Sequence, residues 1–378
     1  MDQGKRSAVK ASLFVAVFLF GGTTIYGQSV EGKPGRESAV FVATNDANHN
    51  EVISFVRNPD GSLEEGKRFA TGGRGSGGNN DPLESQGSLT LTSDRNELLA
   101  VNAGSGQISV FRVRGPLLVL LDVVPSGGSE PNAVAQHGDL VYVLNTGGSS
   151  NINGFHLQNG KLKSISNSLR FLTTNTSGAA SLAFSPDGRF LAVTERLTNN
   201  IDIFPVNNDG TLGDIVTFKQ GGEGTFALSF APNGALIVSE TGGATGSATS
   251  SYAVQPNGTL AVISSSVPSE GKANCWNAIT PDGRFVYVSN AGTSAIAGYA
   301  IGMAGTLTPL PNTIVAENPN GATNLDIAVS DDGKFLYTLN SGNGTIGVFA
   351  IHSDGTLSPL PAAEGVNTNA GFNGIAAE

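Results

Sequence analysis

Seven apolar, strand-like runs along this 378-residue chain each end in Asn or Glu. The endings are separated by 43 to 57 residues and are Asn45, Asn102, Asn145, Glu195, Glu240, Asn290 and Asn340. A period of about 40 to 50 residues, with several short strands in each unit, is the sequence signature of a β-propeller. The repeat therefore predicts an all-β fold, a seven-bladed β-propeller.

Two adjacent units, residues 280–311 and 330–361, show how each blade is built. In both, an apolar strand turns at an Asp-Gly pair that accepts the positive φ of a tight hairpin, and two more strands follow. A second Gly turn then leads to a fourth strand, which begins near a Leu. That Leu recurs in every unit, as Leu63, Leu118, Leu162, Leu212, Leu260, Leu307 and Leu357. The pattern predicts four strands per blade.

The first unit lacks an innermost strand, because it opens directly on its second strand at residues 39–45. A surplus strand-like segment, residues 371–378, follows the seventh unit. We expect this segment to join the first blade and close the ring, since closure removes exposed sheet edges. The alternative is an open array with a frayed tail.

The N-terminal 27 residues have the layout of a secretory signal peptide. Lys5, Arg6 and Lys10 precede an apolar run at residues 11–22, which is too short to span a bilayer. We therefore predict a signal peptide at 1–27, an N-terminal extension at 28–38 and the propeller at 39–378. An uncleaved anchor is the alternative. The predicted location is secreted or periplasmic.

Charge and cysteine content limit the partners. Removing residues 1–27 takes away three cations and one anion and moves the formal charge from −10 to −12. Nucleic acids and anionic membrane surfaces are therefore excluded as expected partners. Cys275 is the one cysteine, so an internal disulfide is impossible. We expect a monomer.

The repeat also resembles a known family. The Pro-Asp-Gly-Arg-Phe turn at 186–190 and 281–285, the strand-ending Asn or Glu, and the Asp-Gly-Thr-Leu hairpin at 209–212 and 354–357 carry the likeness. Together they resemble the lactonase-type seven-bladed propellers. These include the cycloisomerase-type 6-phosphogluconolactonases, the carboxymuconate-lactonising enzymes and the Tyr-Val-Thr-Asn repeat proteins. If the chain is an enzyme, the resemblance implies a lactonase, a carboxylic ester hydrolase.

The resemblance also implies a functional face, formed by the loops that enter the innermost strands and those that leave the second strands. Of the family's motif residues there, this chain keeps Glu195 but has Ala180 and Ala291 at the two positions where the family carries arginine. A phosphorylated lactone would leave its charges unpaired at such a site. We therefore expect 6-phosphogluconolactone not to be a substrate.

A ring of amides remains on this face. Our predicted ligand-binding residues are Asn132, Asn145, Trp276, Asn277, Asn290, Asn324, Asp326 and Asn340. Neutral donors and acceptors at a channel mouth suit a small neutral polar ligand. The alternative is structural, because Asn at a strand end caps backbone groups, and Trp276 could stack on a sugar or pack between blades.

Glu195 and Glu240 end second strands of adjacent blades, so we predict them as candidate catalytic residues. Two nearby carboxylates can divide into an acid and a base that open a lactone. They could instead bind a divalent cation such as calcium together with amide oxygens, although no cofactor is otherwise indicated. The long Gly-rich loop at 72–87 is either a lid or, as its composition favours, a disordered excursion.

Three functions remain open. The first, which we favour, is an exported lactonase-family propeller with a degenerate site that binds a neutral polar ligand or a protein partner at the channel mouth. The second is a hydrolase of a neutral lactone that uses Glu195. The third is a surface scaffold without a small-molecule site.

Overall fold

The computed structural model describes residues 37–219, 221–243 and 246–378, which form seven antiparallel sheets. Blade 1 contains β1 (Ser38–Ala43), β2 (Glu51–Arg57) and β3 (Leu63–Ala70), and blade 2 contains β4 (Leu89–Leu91), β5 (Glu97–Asn102), β6 (Gln107–Arg114) and β7 (Leu117–Pro125). Blade 3 contains β8 (Ser129–His137), β9 (Leu140–Gly147), β10 (Asn151–Gln158), β11 (Lys161–Ser164) and the short β12 (Arg170–Phe171). Blade 4 contains β13 (Ala179–Phe184), β14 (Phe190–Glu195), β15 (Asn200–Pro205) and β16 (Val216–Lys219).

The remaining blades repeat this plan. Blade 5 contains β17 (Thr225–Phe230), β18 (Ala235–Glu240), β19 (Ala248–Val254) and β20 (Leu260–Pro268). Blade 6 contains β21 (Asn274–Ile279), β22 (Phe285–Asn290), β23 (Ala295–Ile301) and β24 (Leu307–Glu317). Blade 7 contains β25 (Asn324–Val329), β26 (Phe335–Asn340), β27 (Thr345–Ile351) and β28 (Leu357–Ala363), and the last strand is β29 (Ile375–Ala377). One 3₁₀ turn, Ala103–Ser105, is the only helix in the described part of the chain. The prediction of an all-β, seven-bladed propeller with four strands per blade is confirmed.

The C-terminal strand closes the ring as predicted. β29 pairs antiparallel with β1, so that Val40 lies opposite Ala377 and Val42 lies opposite Ile375. Blade 1 therefore takes its innermost strand from the C-terminal end of the chain and its other three strands from residues 38–70. The two strands that would otherwise be exposed edges satisfy each other's backbone hydrogen bonds.

The hydrophobic core is divided into seven clusters. Six lie between two neighbouring blades, and the one that joins blades 6 and 7 also takes in Ala180 of blade 4 and Phe226 of blade 5. The cluster between blades 7 and 1, for example, brings Phe335 and Tyr337 against Val40, Ile53 and Phe55. The other six clusters join the successive pairs of blades around the ring. The alternating apolar residues of each strand therefore bury their side chains against the next blade.

Tyrosines in the second strands add a polar tie between blades. The hydroxyls of Tyr142, Tyr287 and Tyr337 donate to the backbone carbonyls of Gly210, Gly355 and Gly61, each in the second hairpin turn of the next blade. Each phenol is buried together with its partner. A buried hydroxyl needs such an acceptor to offset its desolvation.

The entrances to the innermost strands share one backbone device. A residue with positive φ stands at or just before the start of these strands, and β8, β13, β17, β21 and β25 each carry a bulge in their first residues. A bulge re-aims the side chains beside it. These entrances therefore lie on the face that the family resemblance identifies as functional.

The predicted signal peptide and most of the predicted extension lie outside the described residues. Within residues 37–219, 221–243 and 246–378, no helix has the length and apolar character needed to cross a membrane.

Candidate functional site

The channel mouth on this face is closed by the chain itself. Residues 81–87, here called the plug segment, belong to the long loop between blades 1 and 2 and cross the mouth. The side-chain amide of Gln86 forms two hydrogen bonds to the backbone of Asn277 in blade 6: its Oε1 accepts from the N–H and its Nε2 donates to the carbonyl, both at 2.9 Å. The backbone N of Gln86 donates to the carbonyl of Ala180 in blade 4. The Nε1 of Trp276 donates to the carbonyl of Ser85 at 2.9 Å. The loop is thus bound in place, which differs from the disordered excursion that its composition favours.

Blade 3 holds the other side of the plug segment. The hydroxyl of Ser85 donates to the carbonyl of Asn132 at 2.8 Å, and Nδ2 of Asn132 reaches the carbonyls of Leu83 and Ala179. Leu83 is buried in the cluster between blades 2 and 3. Because three separate blades bind seven consecutive residues, the segment is fixed from opposite sides of the channel.

Charged groups hold the outer part of the plug segment. Glu84 forms an ion pair with Arg196, which follows the second strand of blade 4. Asp81 accepts from Nδ2 of Asn373 at 2.7 Å and from the backbone N of Glu84 at 3.0 Å. Burial, with the neighbouring charges of Glu84 and Asp326, raises the pKa of Asp81 to about 8.

The strand-ending Asn and Glu residues clamp the linkers between blades. Asn102, Glu195, Asn290 and Asn340 bind, respectively, Thr71, Thr173, Ser269 and Asn318, which follow the outer strands of the preceding blades. All four of these residues are fully buried. In blades 2, 4, 6 and 7 the polar ending therefore fixes the blade to the one before it, as the structural alternative expects.

Glu195 shows this role in most detail. Its carboxylate accepts from the backbone N of Thr173 at 2.8 Å, from the hydroxyls of Thr173 and Thr198, and from Nδ2 of Asn200 at 3.0 Å. Burial alone would raise the pKa of Glu195, but the hydrogen bonds from Thr173 and Thr198 outweigh it and lower the pKa below its usual range. Burial, and then the charge of Glu195, raise the pKa of nearby Asp202 to about 8.

Glu240 is also buried, and serines of its own blade are among its partners. Its carboxylate accepts from the hydroxyls of Ser250 in β19 and Ser266 in β20, the latter at 2.8 Å. Glu195 faces the linker before blade 4 through Thr173. Each carboxylate is thus engaged by its own set of hydroxyls, and the catalytic assignment of both stays a prediction.

The predicted ligand-binding residues are buried as well. None of the eight is more than 3% exposed, and they are Asn132, Asn145, Trp276, Asn277, Asn290, Asn324, Asp326 and Asn340. Asn324 donates to the carbonyl of Ala295 in the preceding blade, and Nδ2 of Asn145 donates to Oδ1 of Asn151. Trp276 packs edge-on against Phe226 at a ring separation of 5.2 Å. Their role toward a ligand stays a prediction.

Asp326 links the mouth to the closing strand. Its Oδ2 accepts from the backbone N of Ile375 at 3.0 Å, and its Oδ1 accepts from the N of Ile327 at 2.9 Å. Burial raises the pKa of Asp326 to about 7. The carboxyl group therefore orders the start of β29.

Sequence reasoning missed two sets of residues. The linker partners Thr173, Ser269 and Asn318 stand 22, 21 and 22 positions before the residues that they bind, a spacing that a repeat alignment reveals. Gln86 gave no such signal, because Asn277, its partner, is 191 positions away.

In the described ranges, no three or more His, Cys, Asp or Glu residues are grouped so that they could hold a metal ion. The calcium site, which was expected to include amide oxygens, stays a prediction.

Comparisons with known proteins agree with this architecture. A family model described as lactonase, 7-bladed beta-propeller, matches residues 149–275, about a third of the chain. No curated protein matches. The resemblance to the lactonase-type propellers is confirmed.

Solved structures show the same fold over almost the whole chain. A Bacteroides uniformis protein provisionally assigned as a 6-phosphogluconolactonase is 21% identical, with a TM-score of 0.70, and the match covers 91% of this chain and all of that one. The periplasmic gluconolactonase of Pseudomonas aeruginosa is 17% identical, with a TM-score of 0.70 and coverages of 90% and 98%. A Desulfotomaculum acetoxidans protein of unknown function is 15% identical, with a TM-score of 0.67 and coverages of 90% and 99%. At these identities the likeness shows the fold alone.

Proposed function

We propose that this lactonase-type propeller is an exported binding protein that has lost the family's hydrolytic site. The plug segment carries the proposal, because it occupies the mouth at which the resemblance would place a substrate. Its Gln86 N–H binds the carbonyl of Ala180, one of the positions where the family's motif is lost. A ligand of the family's type would have to displace the plug segment and at least six of its hydrogen bonds to the blades.

The charge of the site supports the loss of phosphorylated substrates. Arg196, which lies beside the plug segment, is already paired with Glu84. Asp81 and Asp326 lie close by and add negative charge when they ionise. A phosphosugar lactone would therefore meet repulsion from these carboxylates, and the guanidinium of Arg196 would first have to leave Glu84.

Export is part of the same proposal. The signal-peptide layout of residues 1–27 supports it, as does the fact that one relative of the same fold is named a periplasmic protein. Cleavage is tested by sequencing the N-terminus of the mature protein from a secreting host. A mature chain that begins near Gln28 agrees with export, whereas a chain that retains residues 1–27 contradicts cleavage.

An assay of lactone hydrolysis tests the loss of catalysis. Purified residues 28–378 are mixed with 6-phosphogluconolactone and with D-glucono-1,5-lactone, and ring opening is followed against the spontaneous rate. We expect no acceleration for either lactone. Acceleration that is lost in Glu195→Gln, while the thermal melt of that variant shows a folded protein, contradicts the proposal.

A second candidate is hydrolysis of a neutral lactone. The observation that favours it is the opposite shift of two adjacent carboxyl groups, since the pKa of Glu195 is lowered and that of Asp202 is raised. Such a split is the requirement for a base and an acid in one site. Turnover of D-glucono-1,5-lactone that disappears in both Glu195→Gln and Asp202→Asn would select this function. The third possibility, a scaffold without a small-molecule site, predicts neither turnover nor sugar binding.

A further inference from the structure

The central channel is not filled along its whole length. Below the plug segment lies a cavity of about 370 Å³, here called the channel cavity, whose walls come from the innermost strands of blades 2 to 5. The polar residues that line it are Gln86, Thr90, Gln136, His137, Ser181, Ser185 and Ser229. Gln86 belongs to the plug segment, whereas His137 ends β8 at the opposite side of the ring. The cavity is therefore closed toward the mouth and entered from the opposite face.

The channel cavity has the chemistry of a site for a neutral ligand. Among the described residues that line it, His137 is the one titratable side chain. Gln86 uses one N–H and one lone pair of its amide on the backbone of Asn277, so a second N–H and a second lone pair remain. The edges of the innermost strands add backbone donors and acceptors that have no further strand to pair with.

Apolar surfaces accompany these polar groups. Phe184 and Phe230 line the same cavity, and the ring of His137 lies 5.9 Å from that of Phe184. Small-molecule sites combine apolar walls with a few placed polar groups, and their volumes are about 300 to 1,000 Å³. Flat apolar faces beside hydroxyl and amide groups match a sugar ring, which presents C–H faces and a belt of hydroxyls.

We propose that the channel cavity binds a neutral, polyhydroxylated ring, a monosaccharide or its lactone, which enters from the face opposite the plug segment. This inference rests on the proposed function, because it assigns the place and the ligand class of the binding site. It moves that site from the mouth, where the predicted residues are buried, to the open end of the channel. The negative charge of the protein selects against phosphorylated or anionic sugars, and none of the described residues that line the cavity is a lysine or an arginine that would bind a phosphate.

Two matched tryptophan variants separate the two ends of the channel. Ser229→Trp places a large side chain in the channel cavity, since Ser229 is half-buried and lines it. Leu197→Trp places the same side chain on the face of the ring that carries the plug segment, where Leu197 is 62% exposed. Ser229→Leu is a smaller change at residue 229 that replaces Ser229→Trp if the latter does not fold. Thermal melts report whether each of the three variants is folded.

Binding is measured by isothermal titration calorimetry of residues 28–378 with D-glucose, D-galactose and D-glucono-1,5-lactone, each up to about 10 mM, which detects dissociation constants near 1 mM. We expect at least one of the three sugars to bind. The Ser229 variants should bind it at least about tenfold more weakly, which corresponds to a loss of about 1.4 kcal/mol in binding free energy. Leu197→Trp should bind it as the parent protein does.

Two results would overturn the inference. Binding that is lost in Leu197→Trp but kept in the Ser229 variants would place the ligand at the mouth and leave the proposed binding function intact. Absence of binding by all three probes would refute the ligand class. Failure of the proposed function shows separately, as Glu195-dependent lactone turnover in the hydrolysis assay.

Discussion

Asn373 donates a hydrogen bond from Nδ2 to Oδ1 of Asp81 at 2.7 Å, and its own Oδ1 accepts from the hydroxyl of Ser88 at 2.9 Å. Asn373 stands just before β29, the strand that closes the ring, and Asp81 begins the plug segment. One buried amide therefore joins the closure of the ring to the closure of the mouth. A change that releases either element should loosen the other.

Truncation after Thr368 should lower the stability of the propeller strongly. The change removes β29 and the buried side chains of Phe372 and Ile375, and it exposes the edge of β1. Burial of two such side chains is worth on the order of 4 kcal/mol in the free energy of unfolding. Chemical denaturation of the truncated and full-length proteins measures the difference.

A peptide of residues 369–378 provides the control for this truncation. If the loss comes from the missing strand, the added peptide should occupy the edge of β1 and raise the melting temperature, with an increase that grows with the logarithm of the peptide concentration. An unchanged melting temperature after truncation would mean that strand closure contributes nothing to stability.

Replacement of Asp81 by Asn should flatten the dependence of stability on pH. The folded protein holds the pKa of Asp81 near 8, whereas an unfolded Asp ionises near pH 3.8. The folded state thus binds more protons between these values, so its stability is complete below about pH 4 and is lost as the pH rises toward 8. Asn keeps an oxygen for Asn373 and Glu84 but cannot ionise.

Unfolding free energies at pH 5 and pH 8 test this sign. The stability advantage of Asp81→Asn over the parent protein should grow from pH 5 to pH 8, by up to about 1.4 kcal/mol per pH unit. Asp326→Asn is a separate comparison, because burial also raises the pKa of Asp326, to about 7. A parent protein that gains stability relative to Asp81→Asn as the pH rises would contradict the assignment.

The repeat made the architecture predictable. Turn pairs such as Asp282-Gly283 and strand endings such as Asn290 are local signals that recur in each blade, and the missing inner strand of blade 1 pointed to residues 371–378. The function of the endings was less accessible. An Asn at the end of a strand looks the same in sequence whether it faces a ligand or, as Asn290 does, the linker residue Ser269.

The plug segment could not be predicted from its composition. Its Gly-rich surroundings and polar residues are typical of disorder, and its order depends on Asn277 and Trp276, which are 191 positions away from Gln86 and Ser85. Such pairings exist only after the ring has closed. The channel cavity follows from the same three-dimensional arrangement, so no linear pattern indicates it.

Glu195→Gln should destabilise the protein. The carboxylate accepts hydrogen bonds from Thr173, Thr198 and Asn200, and an amide nitrogen at one of its two positions would face donors instead of accepting from them. A buried donor left without an acceptor costs about 1 to 3 kcal/mol. Denaturant titration of the variant at pH 7 measures this loss.

Glu364→Gln serves as the matched control, because Glu364 is exposed and should change stability by less than about 0.5 kcal/mol. Equal stability of Glu195→Gln and the parent protein would show that the carboxylate does not act as a clamp. Combined with a loss of lactone turnover, that outcome would restore Glu195 as a catalytic residue.

Cys275 should report the opening of the plug segment. It is buried beside Trp276, and burial raises the pKa of its thiol, so thiol reagents should react with it far more slowly than with the unfolded chain. Gln86→Ala removes both side-chain hydrogen bonds to the backbone of Asn277. Loss of two such bonds, each worth about 1 kcal/mol, should raise the population of open states and the labelling rate by on the order of tenfold.

The labelling rate is followed by mass spectrometry at pH 8 under native conditions, for the parent protein, Gln86→Ala and Gln158→Ala. Gln158 is an exposed residue at the end of β10, so its replacement is the same chemical change at a site remote from the mouth and should leave the rate unaltered. Equal rates in all three proteins would mean that Cys275 is reached without displacement of Gln86, and that the plug segment does not control access to the mouth. Thermal melts of the three proteins show how much of the labelling global unfolding contributes. A rise in Gln86→Ala alone, beyond that contribution, would show that the hydrogen bonds across the channel keep the mouth closed.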